Sequence, residues 1–280
     1  MKTILVPTDF SESADNATDY AIRLAKEFHM DLLLLHVFHV PITPPPLHMP
    51  VNISTTEDIQ KEKEDLLKRK ATAIQNSNNI KVKYHAKMNF VIEGILEENA
   101  DLLVMGMQGT TNVTDVLMGS ITTSVLRESK IPVFVIPEKS KYKKPRKIVF
   151  ACDFDNQKNT DPYKTLKGFA EKFDAKISVL NVSERKQLET ADETRSGKKL
   201  EKSLTDIEHE YFFHTNENII EEINELVTDQ NADMVAIIPH KYNIIEKLFH
   251  DSISKKLAFY SHVPLFVIPD NHKTTAAFFI

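Results

Sequence analysis

Residues Asp101–Pro137 read DLLVMGMQGTTNVTDVLMGSITTSVLRESKIPVFVIP. The apolar run Leu102–Met105 ends in Gly106; Gly109 and Gly119 follow, the last directly before Ser120. The chain has 6 glycines, and three of them fall within these fourteen positions. Glycine lets backbone adopt positive φ or come close to a ligand. A buried strand, a glycine-bearing loop and a helix start together present backbone N–H groups to phosphate. The stretch therefore predicts a strand, a phosphate cradle, a helix over about Gly119–Glu128 and a last strand at Val133–Ile136.

Upstream, strand and helix signals alternate. Thr3–Val6 reads as a short buried strand closed by Pro7-Thr8-Asp9, and Ser11 is placed to cap a helix with Ala14, Ala17, Ala21, Leu24, Ala25 and Phe28 on one face. Leu32–Phe38 reads as a second buried strand. The Pro-rich Val40–Pro50 suits neither helix nor central strand. A Thr55-x-x-Asp58 pattern opens a charged helix to about Asn76, with Ile59, Leu66, Leu67 and Ile74 inward. From Ile80 to Met88 apolar and polar residues alternate, which marks a half-exposed edge strand. A short helix at Ile92–Asn99 leads back to Leu102. This pattern predicts an α/β, doubly wound, five-stranded parallel sheet flanked by helices, in strand order 3-2-1-4-5. In that order Asp9 and Gly106 end neighbouring strands at the topological switch point, where such sheets bind ligands.

The pattern then repeats. KIVFACDF, Lys147–Phe154, restates TILVPTDF, Thr3–Phe10, so Asp153 answers Asp9; Ala175–Val182 answers the second strand. Asp233–Pro269 lies over Asp101–Pro137 at a constant offset of 132. The expected organisation is two tandem domains, residues 1–138 and 147–270, with a linker at 139–146 and a tail at 271–280. The basic Pro137–Arg146 reads as a solvated linker rather than an anion patch. Both fifth strands, Val133–Ile136 and Leu265–Ile268, are apolar on both faces. An open edge of that kind aggregates, so the two are expected to cover each other within the chain.

The bulk numbers fit this picture. At 280 residues the chain is long enough for two ordinary domains, and 41% hydrophobic with 27% charged residues describes a soluble globular protein. A net charge of -5 gives no reason to expect nucleic acid or an anionic membrane. Cys152 is the single cysteine, no apolar run approaches the ~20 residues of a membrane span, and the first residues lack a signal-peptide core, so a cytoplasmic protein is expected.

With these residues in view, the chain resembles a tandem universal stress protein. The family's ATP-binding pattern G-x2-G-x9-G-[ST] stands here as Gly106-x2-Gly109-x9-Gly119-Ser120, joined by Val6-Pro7-Thr8-Asp9 and by Pro132-Val133. The resemblance implies ATP in the first-copy crevice. Asp9 and the backbone of Val37 would meet adenine, and Pro7, Thr8 and Gly106 would line base and ribose. Gly109, Gly119, Ser120, Ile121 and Thr122 would hold the phosphates, with Mg²⁺ or Mn²⁺ carried on them rather than in a carboxylate cage. It also implies dimer-like pairing through the fifth strands, within the chain or as a homodimer. The second copy departs from the pattern: Ile238, Lys241 and Asp251 stand where the first has its three glycines. Side chains there would fill the phosphate space, so no ATP is expected in that loop.

Other chemistry is less favoured. The histidine pairs His36/His39 and His209/His214 lack metal-site companions. Cys152 reads as packing, and Ser120 has no His–Asp relay that would make it a nucleophile. The leading reading is a stress-response protein that binds ATP as a regulatory ligand. A slow ATPase or self-phosphorylating enzyme at the same site, and a nucleotide-independent scaffold, are the alternatives.

Overall fold

A computed structural model describes residues 2–39, 56–107, 119–152, 159–182, 195–214, 219–239 and 263–270. Strand β1 (Thr3–Pro7) is followed by α1 (Glu12–Phe28), β2 (Asp31–Phe38), α2 (Thr56–Asn78), β3 (Val82–Met88), α3 (Val91–Leu96), β4 (Leu102–Gly106), α4 (Ser120–Glu128) and β5 (Val133–Ile136). The second half runs β6 (Lys147–Cys152), α5 (Asp161–Phe173), β7 (Lys176–Val182), α6 (Arg195–Leu204), β8 (His209–His214), α7 (Ile219–Gln230), β9 (Met234–Ile237) and β10 (Leu265–Val267).

Local chemistry sets the element ends. Ser11 Oγ accepts the Ala14 N–H at 3.2 Å, capping α1, and Glu12 and Asp15 place negative charge at its N-terminus. The α1 C-cap, His29, is left-handed at φ 54°, and Asp174 repeats this at φ 50° after α5, turning each chain segment straight into a strand. On β1, Ile4 and Val6 face one core while Leu5 faces the other, the period of two a central strand requires.

The ten strands of the described residues form one α/β sheet in the order β3-β2-β1-β4-β5-β10-β9-β6-β7-β8. Every pairing is parallel except β5 with β10, which is antiparallel. Each face of the sheet carries a single buried cluster that runs through both halves. The edge of the first half is β3, where Val82 and Ala86 are buried but Tyr84 and Met88 are 40% and 52% exposed. Alternation alone would have turned all four inward; at the edge only two find cover.

The linker region is a brace. Asn16 Nδ2 donates to the Pro137 and Ser140 carbonyls at 3.0 and 2.9 Å, and the Tyr142 ring meets Tyr20 edge-on at 5.0 Å. Three of its five cations face carboxylates: Lys143 pairs with Asp233, Lys144 with Glu27 and Arg146 with Asp174. Helix α6 buries Leu200 and Leu204 completely. The Pro-rich Val40–Pro50, the tail 271–280 and the second-half loop carrying Lys241 and Asp251 lie outside the described residues.

Candidate functional site

Strand β1 pairs with β2 on one side and β4 on the other, so the chain crosses in opposite directions from it. A cleft of about 360 Å³ opens there, at the C-terminal ends of the strands. Nine residues singled out in the sequence line it: Pro7, Thr8, Asp9, Val37, Gly106, Gly119, Ser120, Ile121 and Thr122. The tenth, Gly109, lies outside the described residues, as does Asp153.

The β1 end of the cleft is held by short local bonds. Thr8 N–H donates to the Leu35 carbonyl at 2.8 Å, and Thr8 Oγ1 accepts the Phe10 N–H at 3.1 Å. Asp9 Oδ1 accepts both the N–H and the hydroxyl of Ser11, at 3.1 and 2.6 Å. Between them Phe10 takes φ 63°, a left-handed conformation uncommon for a bulky residue, and its ring rests 4.8 Å from that of His36. His36 Nδ1 lies 2.7 Å from the Thr8 carbonyl, so that nitrogen carries the proton. Asp9 is thereby aimed by the turn as well as presented to the cleft.

At the β4 end Gly106 and Gly119 also have structural work. Neither Gly106 nor Gly119 has positive φ. A Cβ on Gly106 would sit 2.9 Å from the Ser13 carbonyl oxygen, and closer still to the Ser13 hydroxyl. Its bare Cα thus lets the first turn of α1 close on the strand end. Gly119, at φ −62° and ψ 150°, is the N-cap of α4 and donates to the Met107 carbonyl at 2.9 Å, closing the loop. It offers α4 no side-chain cap, so the first-turn N–H groups of α4 keep their positive field at the cleft. Ser120 is exposed beside them. Thr122 also lines the cleft, and its buried hydroxyl donates to the Gly106 carbonyl at 3.2 Å, which fixes α4 on β4.

Five further residues complete the lining: Ala14, Leu35, Val91, Ile95 and Met105. Sequence reasoning passed over them, although Leu35 precedes Val37 by two on one face of β2, and Val91 and Ile95 stand one helical turn apart. Together they make one end of the cleft apolar, while the α4 end is polar. Among the described lining residues Asp9 alone bears a charge. The described residues contain no cluster of three or more His, Cys, Asp or Glu side chains able to hold a metal ion, and no helix long and apolar enough to cross a membrane.

In the second half, the residues that follow the corresponding strand ends, 153–158 and 240–262, lie outside the described residues. Ile238 stands where Gly106 does and is 1% exposed, and α5 begins at Asp161, matching a position one turn inside α1 when the two helix ends are aligned.

Fold and cleft define a doubly wound α/β protein with an open crevice at its switch point. The universal stress protein family model matches residues 1–137. A universal stress protein of Methanocaldococcus jannaschii is 30% identical over 155 residues, which is 52% of this chain and 84% of that protein. One from Synechocystis is 33% identical over 141 residues, 49% of this chain and 85% of that protein. The crystal structure of a universal stress protein from Archaeoglobus fulgidus superposes with TM-score 0.70 at 22% identity, covering 95% of this chain and 96% of that one. The chain belongs to the universal stress protein family, a family of stress-response proteins.

Proposed function

We propose that this is a stress-response protein of the cytoplasm that binds ATP in the cleft of residues 1–138 as a regulatory ligand. The observation that carries the reading is convergence: nine motif residues, drawn from β1, β2, β4 and the start of α4, line one cleft of about 360 Å³. That volume is within the range of small-molecule sites. Leu35, Val37, Val91, Ile95 and Met105 offer apolar walls to a base, and the α4 N-terminus with Ser120 offers N–H and hydroxyl donors to phosphate. Asp9 adds an acceptor on the base side. Gly109 belongs to the same loop in sequence. Mg²⁺ or Mn²⁺ would travel on the phosphates.

Residues 147–270 are read as a second, degenerate copy of the same domain, joined through 139–146. Repeated hydrogen bonds support this. The Asp101 N–H donates to the Thr3 carbonyl as Asp233 does to Lys147, and Leu103 donates to Pro132 as Val235 does to Pro264. Pairing of β5 with β10 makes the chain an internal counterpart of a dimer, and the side chains that replace the three glycines in the second copy leave it one nucleotide per chain.

The test is to denature freshly purified protein, identify any released nucleotide by chromatography, and titrate ATP onto wild type and Gly109→Lys, the residue found in the second copy. About one adenine nucleotide per chain, lost in the variant, is expected. Absence of both carried nucleotide and measurable affinity would refute the reading in favour of a scaffold.

A further inference from the structure

Gly94 lies in the middle of α3, a helix of only 6 residues, where alanine would normally be the more favourable residue. Its neighbour explains the choice. A Cβ built on Gly94 would meet Val37 Cγ1 at 2.7 Å and Cγ2 at 2.8 Å, distances at which something must move. Valine is stiff about χ1, and with both methyls in contact no staggered rotation clears the clash. The remaining responses are displacement of Val37 on β2 or a lift of α3 from the sheet. Val37 lines the cleft from β2, and Val91 and Ile95 line it from α3, so either response changes the spacing of its apolar walls.

We propose that Gly94 is a positioning residue that sets the width of the apolar slot for the base, through a matched contact with Val37. The inference rests on the nucleotide reading above and names the feature that fits a planar base between β2 and α3. Gly94 touches no ligand itself; it acts by letting α3 settle on Val37.

The test is a double-mutant cycle in the full chain, with ATP affinity measured by calorimetric titration and the melting midpoint measured without ligand. Gly94→Ala is expected to weaken ATP at least tenfold and to lower the midpoint, although the same change in an unhindered helix raises stability. Val37→Ala on that background removes the methyls in conflict. It is expected to recover most of both losses, while Val37→Ala alone weakens ATP only a few-fold. Recovery is the readout that a general loss of structure would not give. Unchanged affinity in Gly94→Ala, or equal loss in the single and double variants, would overturn the slot while leaving nucleotide binding intact. A wild type that binds no adenine nucleotide would overturn the nucleotide reading, and the slot with it; the midpoint cycle then still reports whether the contact exists.

Discussion

Phe134 and Phe266 stack across the seam between the halves, with ring centroids 4.2 Å apart and planes 12° from parallel. They are directly paired in the antiparallel ladder, and they stand 132 residues apart, at corresponding positions of the aligned stretches Asp101–Pro137 and Asp233–Pro269. Their flanking pairs, Val133 with Val267 and Val135 with Leu265, exchange equivalent positions in the same way. A local two-fold axis therefore passes between the two rings. Both sit against Phe169 of α5, at 5.4 and 5.2 Å, so one core bridges strands from the two halves.

Because the rings are equivalent and fully buried, Phe134→Ala and Phe266→Ala should each cost about 3–5 kcal/mol, the range for buried Phe truncation. The two losses should also be subadditive, with a coupling of about 0.5–1.5 kcal/mol from the stacked pair. Urea unfolding of the two single variants and the double checks both numbers. Full additivity would mean that the stack contributes no more than its buried area.

Asp101 and Asp233 clamp the first strand of each half, but not equally. Asp101 Oδ2 accepts the Thr3 N–H at 2.7 Å. Asp233 Oδ2 accepts the N–H groups of Arg146 and Lys147 at 2.7 and 3.1 Å, and its other oxygen pairs with Lys143. Asp101→Ala should cost about 1.5–3 kcal/mol, the range for a hydrogen bond to a charged group. Asp233→Ala should cost more, because its buried carboxylate accepts two backbone N–H groups and pairs with Lys143, where Asp101 holds the single Thr3 N–H. A shifted urea midpoint with an unchanged slope would report this as stability alone.

Much of this architecture was legible in the chain because it depends on local pattern. Apolar runs of strand length, the Ser11 cap and the offset of 132 are visible without a structure, and so is the meeting of Asp9 with Gly106 at one crevice. What was not legible depends on neighbours distant in sequence. Gly106 was read as lining the base and ribose; that its missing Cβ also makes room for Ser13 of α1 could not be seen in the chain. Thr122 was read as a phosphate-side residue; that its hydroxyl also donates to the Gly106 carbonyl depends on a strand sixteen residues back. Tyr84 alternates like a core residue and is exposed because β3 has a partner on one side only. The apolar walls from α3 escaped notice because a six-residue helix shows too little periodicity.

The two described glycines of the cleft should separate on mutation. Gly106→Ala pushes a methyl against the Ser13 backbone and should cost about 1–3 kcal/mol, the usual range for overpacking, with loss of the cleft's shape. Gly119→Ala asks for no new backbone conformation, since φ −62° and ψ 150° suit any residue, and should cost no more than about 1 kcal/mol as a poorer N-cap. Paired urea midpoints decide it. Equal costs would show that Gly119, too, is held by packing.

Glu201 of α6 provides the sign for a dependence on pH. Its Oε2 accepts the Tyr211 hydroxyl at 2.7 Å and lies 3.0 Å from His209 Nε2, while His209 Nδ1 faces the Ile207 carbonyl at 2.7 Å. Hydrogen bonding by His209 first, and then by Tyr211, holds the Glu201 carboxyl below its ordinary value of 4.5, with burial acting weakly the other way. A carboxyl depressed in the folded state contributes stability that is present above its unfolded value and lost as pH falls through its folded value. Wild type should therefore exceed Glu201→Gln in stability at pH 5, and the gap should shrink as pH falls below about 4.5 toward 3. Glu201 is half exposed, so the gap at pH 5 should be at most about 1 kcal/mol. Urea midpoints of both proteins between pH 3 and 5 measure it. A gap that stays constant across that interval would assign the contribution of Glu201 to packing on α6 and β8 rather than to its charge.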